Sequence, residues 1–186
     1  MRRKKIRGKS LMNRDQYWLN LCKAIASNSK CLSRKLGAVI VKDNSFIIST
    51  GYNGPPAKCK HCEWRDDKGA IYGDHKLGGW NDVKPNYICP RKRMGFQSGE
   101  GLEFCFAAHA ERNAISIAAK LGHSTDNCSM YLDWIIPCFE CCKSLINAGI
   151  KEVIVVNLEN YDKKGITGRQ LLEQAGVRIR AYEINS

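Results

Sequence analysis

The stretch from His109 to Val156 reads HAERNAISIAAKLGHSTDNCSMYLDWIIPCFECCKSLINAGIKEVIVV. Its patterning decides the fold. His109–Leu121 and Cys138–Ala148 read as helices, and Ser129–Ile135 and Lys151–Val156 as strands, the second of them buried on both faces. Beyond Val156 the alternation continues, with a helix over Thr167–Gln174 and a last strand over Val177–Tyr182. Towards the amino end, Leu36–Val41 and Phe46–Thr50 are β-rich runs joined by Lys42-Asp43-Asn44-Ser45, a hairpin that Gly51-Tyr52-Asn53-Gly54-Pro55-Pro56 stops. A first helix is expected from about Asn13 to Ser27, on the spacing of Tyr17, Leu19, Leu21, Ala24 and Ile25. A hairpin followed by alternating helices and strands implies an α/β class, a three-layer α/β/α fold on one mixed five-stranded sheet.

One segment resists this reading. Roughly residues 57–107 are rich in Gly, Asp, Lys and Pro, with weak periodicity, and carry Cys59, Cys62, Cys89 and Cys105. A connection this long without regular structure is uncommon in a compact domain unless it is functional or disordered. A metal clamp would order it where its apolar content does not. The organisation is therefore a basic tail over 1–11 and one domain over 12–186 with a Cys-rich insertion at about 57–107.

With 186 residues, 44% hydrophobic and 26% charged, the chain suits one soluble globular domain with a sizeable core. No apolar run approaches the roughly 20 residues of a membrane span, and the basic start lacks the apolar segment of a signal peptide. The expectation is a cytoplasmic protein. In that reducing compartment ten cysteines are metal ligands or buried thiols rather than a disulfide framework. Arg2, Arg3, Lys4, Lys5, Arg7 and Lys9 supply half of the net charge of +12. They read either as a solvated extension or as an arm for an anionic partner such as a nucleic acid. The surplus in the body suits a phosphate-bearing substrate.

Two segments carry chemistry: His109-Ala110-Glu111 and Pro137-Cys138-Phe139-Glu140-Cys141. Cys138 and Cys141 are three apart, so at a helix start both thiols share a face and can grip one ion. His109 adds a third ligand from the other helix start, and helix N-termini favour thiolate over thiol. Three protein ligands leave the fourth tetrahedral position open for water, which separates a catalytic zinc from a structural one. Zinc lowers that water's pKa to about 7. Glu111 can reach it without ligating, take its proton and pass it on. Either motif alone says little. Together they form the His-x-Glu and Pro-Cys-x-x-Cys signature of zinc nucleobase deaminases.

Further residues narrow this. Ser29-Lys30-Cys31, Leu36 to Ile40, Ser49 to Gly54, His109 to Ile115, Ser129-Met130-Tyr131, Pro137 to Cys141 and Ala148 to Val153 make the chain resemble the deoxycytidylate deaminase branch of the cytidine deaminase superfamily. The resemblance implies a cytidine deaminase-like fold and hydrolysis of dCMP to dUMP and ammonia. It implies Zn2+ on His109, Cys138 and Cys141, with Glu111 as the catalytic proton shuttle. Ser33 and Arg34 would approach the 5′-phosphate, the alternative for Arg34 being a solvated side chain. Asn53 would lie by the sugar or be a plain turn former. Ala110 and Tyr161 would lie along the substrate. Phage-type relatives carry a second, structural zinc, here implied on Cys31, Cys62, Cys89 and Cys105, with Cys59 and His61 as competing donors. Many relatives are hexamers controlled by dCTP and dTTP, so a homo-oligomer with those effectors is expected.

Two departures stand out. Cys142 replaces a small apolar residue and is expected to face the core, as are Cys22 and Cys128. Asp133-Trp134-Ile135-Ile136 is bulky and is expected to reshape the base pocket. Three other functions compete. One is a deaminase of dCTP, or of both dCMP and dCTP. Another edits cytosine in a polynucleotide held by the basic tail, although no aromatic platform for flanking bases accompanies the motifs. The third is a non-catalytic zinc module, which Glu111 and the three-ligand set oppose.

Overall fold

The computed structural model describes residues 13–64, 87–97, 99–162 and 164–183. The tail over 1–11 and the centre of the insertion, 65–86, lie outside the described residues. The elements are α1 (Arg14–Ala26), β1 (Gly37–Lys42), β2 (Phe46–Tyr52), α2 (Pro90–Arg93), α3 (Ala110–Leu121), β3 (Cys128–Leu132), α4 (Phe139–Asn147), β4 (Ile150–Val155), α5 (Gly168–Gln174) and β5 (Arg178–Ala181). The strands form one sheet in the order β2-β1-β3-β4-β5. β1 runs antiparallel to β2 and β3, while β3, β4 and β5 run parallel. The expected mixed five-stranded sheet is thus present.

Alternation along the strands assigns the two faces. Ala38, Ile40, Met130, Leu132, Val153 and Val155 point to one side, where they bury Ala110 and Ala114 of α3, Cys142 and Leu145 of α4 and Leu172 of α5. Val39, Val41, Tyr131 and Ile154 point to the other, against Trp18, Leu19 and Cys22 of α1. Three layers result. Cys22, Cys128 and Cys142 are all fully buried, as expected of core thiols.

Local chemistry explains the boundaries. Asp43 and Asn44 adopt φ of 50° and 51°, the left-handed pair that a tight hairpin needs and that Asp and Asn tolerate. Asn13 caps α1 by accepting from the Gln16 N–H, and Thr167 with Gln170 forms a capping box on α5. The strand expected over Ser129–Ile135 ends at Leu132. There the Asp133 carboxylate accepts the Gly37 N–H at 2.8 Å while the Asp133 N–H reaches the Gly37 carbonyl at 3.4 Å, so a side chain replaces one of the two backbone bonds of this pair. Among the described residues of the insertion, the regular structure consists of short helical turns, at Cys62–Trp64, in α2 and at Leu102–Phe104. Among the described residues no helix is long and apolar enough to cross a membrane.

Candidate active site

α3 and α4 both begin at the carboxyl ends of parallel-running strands, α3 beyond β2 and α4 beyond β3. Their first turns meet at that edge. His109 and Cys138 are the N-cap residues, on extended backbone with φ/ψ of −71°/155° and −63°/158°, and neither side chain caps its own helix. Each is instead turned towards the other. His109 Nδ1 lies 3.4 Å from Cys138 Sγ and 3.3 Å from Cys141 Sγ. All three donor atoms lie within 4.8 Å of one another.

Zinc fits this group. Bonds of about 2.3 Å to sulfur and 2.0–2.1 Å to nitrogen put tetrahedral S···N edges at about 3.6 Å. The two S···N separations here are within a few tenths of that, and His109 and Cys138 line the adjoining cavity.

Neighbouring contacts hold both helix starts. Gly54 and Ala108 exchange backbone hydrogen bonds of 3.1 and 2.9 Å immediately before His109. Asn113 of α3 donates to the Tyr52 carbonyl at 2.7 Å. A Cβ on Gly51 would stand 2.3 Å from the Ala110 carbonyl and 2.4 Å from the Ala114 nitrogen, so only glycine lets α3 lie this close to β2. On α4, the missing cap comes from outside the helix. Asp162 Oδ2 accepts from the Phe139 N–H and the Gly168 N–H, both at 2.9 Å, and so joins the starts of α4 and α5.

The charges are arranged for a metal. The hydrogen bond with Cys141 and the bond and charge of His109 bring Cys138 down to about 4 against its burial. Cys141 is pushed up by the same thiolate and by burial, and His109 is raised by its bond to Cys138. One thiolate is therefore ready, and ion binding would displace the proton on the second. Glu111 is 8% exposed, and desolvation raises its carboxyl.

A cavity lined by His109, Cys138 and Glu111 opens beside this group. Ser33, Arg34, Asn53, Ala110 and Tyr161 all line it. Arg34 stacks on Trp134, its guanidinium carbon 4.0 Å from the ring centroid. The Tyr161 ring stands edge-on to His109 with centroids 6.1 Å apart. Asn53 is occupied by its own loop: Oδ1 accepts from Ser29 and the Leu36 N–H, both at 2.8 Å, and Nδ2 donates to the Arg34 carbonyl at 2.7 Å. Asp133 through Pro137 form one wall, which is where the bulky departure Asp133-Trp134-Ile135-Ile136 acts on the pocket.

The four cysteines of the expected second zinc are not gathered in the same way. Cys31 and Cys105 line the cavity, whereas Cys62 and Cys89 are buried, Cys89 at the start of α2. Among the described residues, His109, Cys138 and Cys141 are the one group of three or more such donors within 4.8 Å. Two features of the site escape sequence reasoning. One is the capping of α4 by Asp162, which depends on the return of its loop. The other is Arg91, in the insertion, which lines the cavity although no motif marks it.

Residues 12–157 match the family model described as the cytidine and deoxycytidylate deaminase zinc-binding region. The chain is 34% identical over 178 residues to the deoxycytidylate deaminase of Enterobacteria phage T2, covering 87% of this chain and 88% of that one. It is 31% identical over 168 residues to the deoxycytidylate deaminase of Schizosaccharomyces pombe, covering 90% of this chain but 44% of the longer yeast protein. In fold it is similar to the dCMP deaminase of cyanophage S-TIM5 crystallised with dCMP and dUMP, with a TM-score of 0.61, 24% identity, and coverage of 89% of this chain and 94% of the phage chain.

Proposed function

The chain belongs to the cytidine and deoxycytidylate deaminase family, and on that premise we propose that it hydrolyses dCMP to dUMP and ammonia. The observation that carries this is the donor set of His109, Cys138 and Cys141 at the edge of a cavity, with Glu111 buried beside it. His109, Cys138 and Cys141 would hold a zinc ion, which would lower the pKa of a bound water to about 7. Glu111 takes a proton from the attacking water and gives it to N3 of the cytosine as the C4–O bond forms. Glu111 next carries the second proton to the amino group, the C4–N bond breaks, and ammonia leaves with the carboxylate restored. Desolvation raises Glu111, which suits a group that must both take and give a proton. Tyr161 and Trp134 narrow the cavity around the base, and Arg34 brings a cation to its wall.

The rest of the proposal rests on the resemblance. It includes a second, structural Zn2+ on Cys31, Cys62, Cys89 and Cys105, a homo-oligomer responsive to dCTP and dTTP, and a cytoplasmic location that suits a thiol-rich chain. The substrate is tested by following ammonia release from dCMP, dCTP, CMP, deoxycytidine and single-stranded DNA. dCMP should give the highest kcat/KM. Faster release from the DNA strand, lost when residues 1–10 are deleted, would make the protein a polynucleotide deaminase instead.

A further inference from the structure

Arg91 sits in the short helix α2 and lines the same cavity, yet it is only 8% exposed. A guanidinium carries five donors and stays charged at any pH a protein meets. Among the described residues Arg91 makes one side-chain hydrogen bond, from an amino group to the carbonyl of Glu100, and pairs with no carboxylate. Its Nε is buried without a partner among the described residues. A buried charge left unpaired is costly, so such a group calls for an anion.

The surroundings fix the side chain. The Arg91 carbonyl accepts from the Phe96 N–H at 3.0 Å, and the Phe96 ring stacks on Phe104 with centroids 5.6 Å apart. The loop that carries Glu100 is thereby folded over Arg91. The other cation on the cavity wall, Arg34, is only partly buried and is spread on the Trp134 ring. The two carboxylates lining the cavity have other attachments, Glu111 at the zinc ligands and Asp133 on the Gly37 N–H.

We propose that Arg91 is the buried contact for the phosphate of the nucleotide substrate and sets the preference for a nucleotide over its nucleoside. This rests on the reading of the cavity as a nucleotide site. Arginine meets phosphate oxygens through paired, charge-assisted hydrogen bonds, which lysine cannot reproduce in geometry. A donor already held in the bound position loses little freedom when the phosphate arrives.

The test uses zinc-loaded wild-type protein, Arg91→Gln and Arg91→Lys. For each, kcat/KM is measured on dCMP and on deoxycytidine, and the binding of dUMP, deoxyuridine and inorganic phosphate by calorimetry. The ratio of kcat/KM for dCMP over deoxycytidine should fall about 10- to 100-fold in Arg91→Gln, mostly through KM, with partial recovery in Arg91→Lys. Binding of dUMP should weaken with it while that of deoxyuridine changes far less. An equal fall on both substrates, or an unchanged ratio with a drop in melting temperature, would overturn the inference, since Arg91 would then serve the fold. If wild-type protein fails to deaminate dCMP but binds dUMP through Arg91, the reaction assignment fails and the phosphate contact stands. Turnover of dCMP with a ratio indifferent to Arg91 defeats the phosphate contact alone.

Discussion

His109 and Cys138 stand where a helix ordinarily takes Ser, Thr, Asp or Asn, and neither caps the helix it opens. The N–H groups they leave unmet are the local cost of a ligand site. At α4 that cost is offset by Asp162, which accepts the Phe139 N–H from another loop. The ligands and Glu111 were legible in the sequence because their spacing is short and helical. Arg91 and the capping role of Asp162 were not, because no motif marks the one and the other depends on a loop that returns to α4. Glu111 gives the sharpest test at this scale. Glu111→Gln keeps the size of the side chain and removes proton transfer, so it should retain zinc and lose about 10²- to 10⁴-fold in kcat. Zinc content and dCMP turnover of the same preparation check this, and near-wild-type turnover would remove Glu111 from the chemistry.

Among the elements, strands and helices fell where periodicity placed them, with most boundary differences within two residues. The exception is informative. Trp134, Ile135 and Ile136 are as apolar as a strand, yet β3 stops at Leu132 because Asp133 spends its carboxylate on the partner strand. The following residues are freed to form a cavity wall. No pattern of apolar residues announces such an ending. A second constraint, Gly51, sets how closely α3 approaches β2 and hence where His109 and Glu111 stand. Gly51→Ala forces backbone against backbone and should destabilise the protein by about 1–3 kcal/mol. Urea unfolding measures this, and an unchanged midpoint would mean that the helix has room to retreat.

For the whole molecule, the mixed sheet gathers the function at one edge. β2, β3 and β4 end there and β1 begins there, so Arg34, His109, Cys138 and Tyr161 converge from four parts of the chain. Ligands gather at the carboxyl ends of strands in other open α/β sheets for the same reason. The class and strand count were readable from the alternation of elements. The insertion was readable only as a Cys-bearing segment, because its order depends on contacts that composition does not encode. If Cys31, Cys62, Cys89 and Cys105 hold a closed structural site, elemental analysis of protein purified without added metal should approach two zinc ions per chain. A value of one, with Cys62→Ser as stable as wild type, would remove that site. The most direct measurement is ammonia release from dCMP before chelation, after removal of the metal, and after zinc is restored. We expect turnover that disappears with the metal and returns with zinc. Turnover that survives complete metal removal, or none from protein whose His109, Cys138 and Cys141 site is fully loaded, would contradict a zinc-dependent dCMP deaminase.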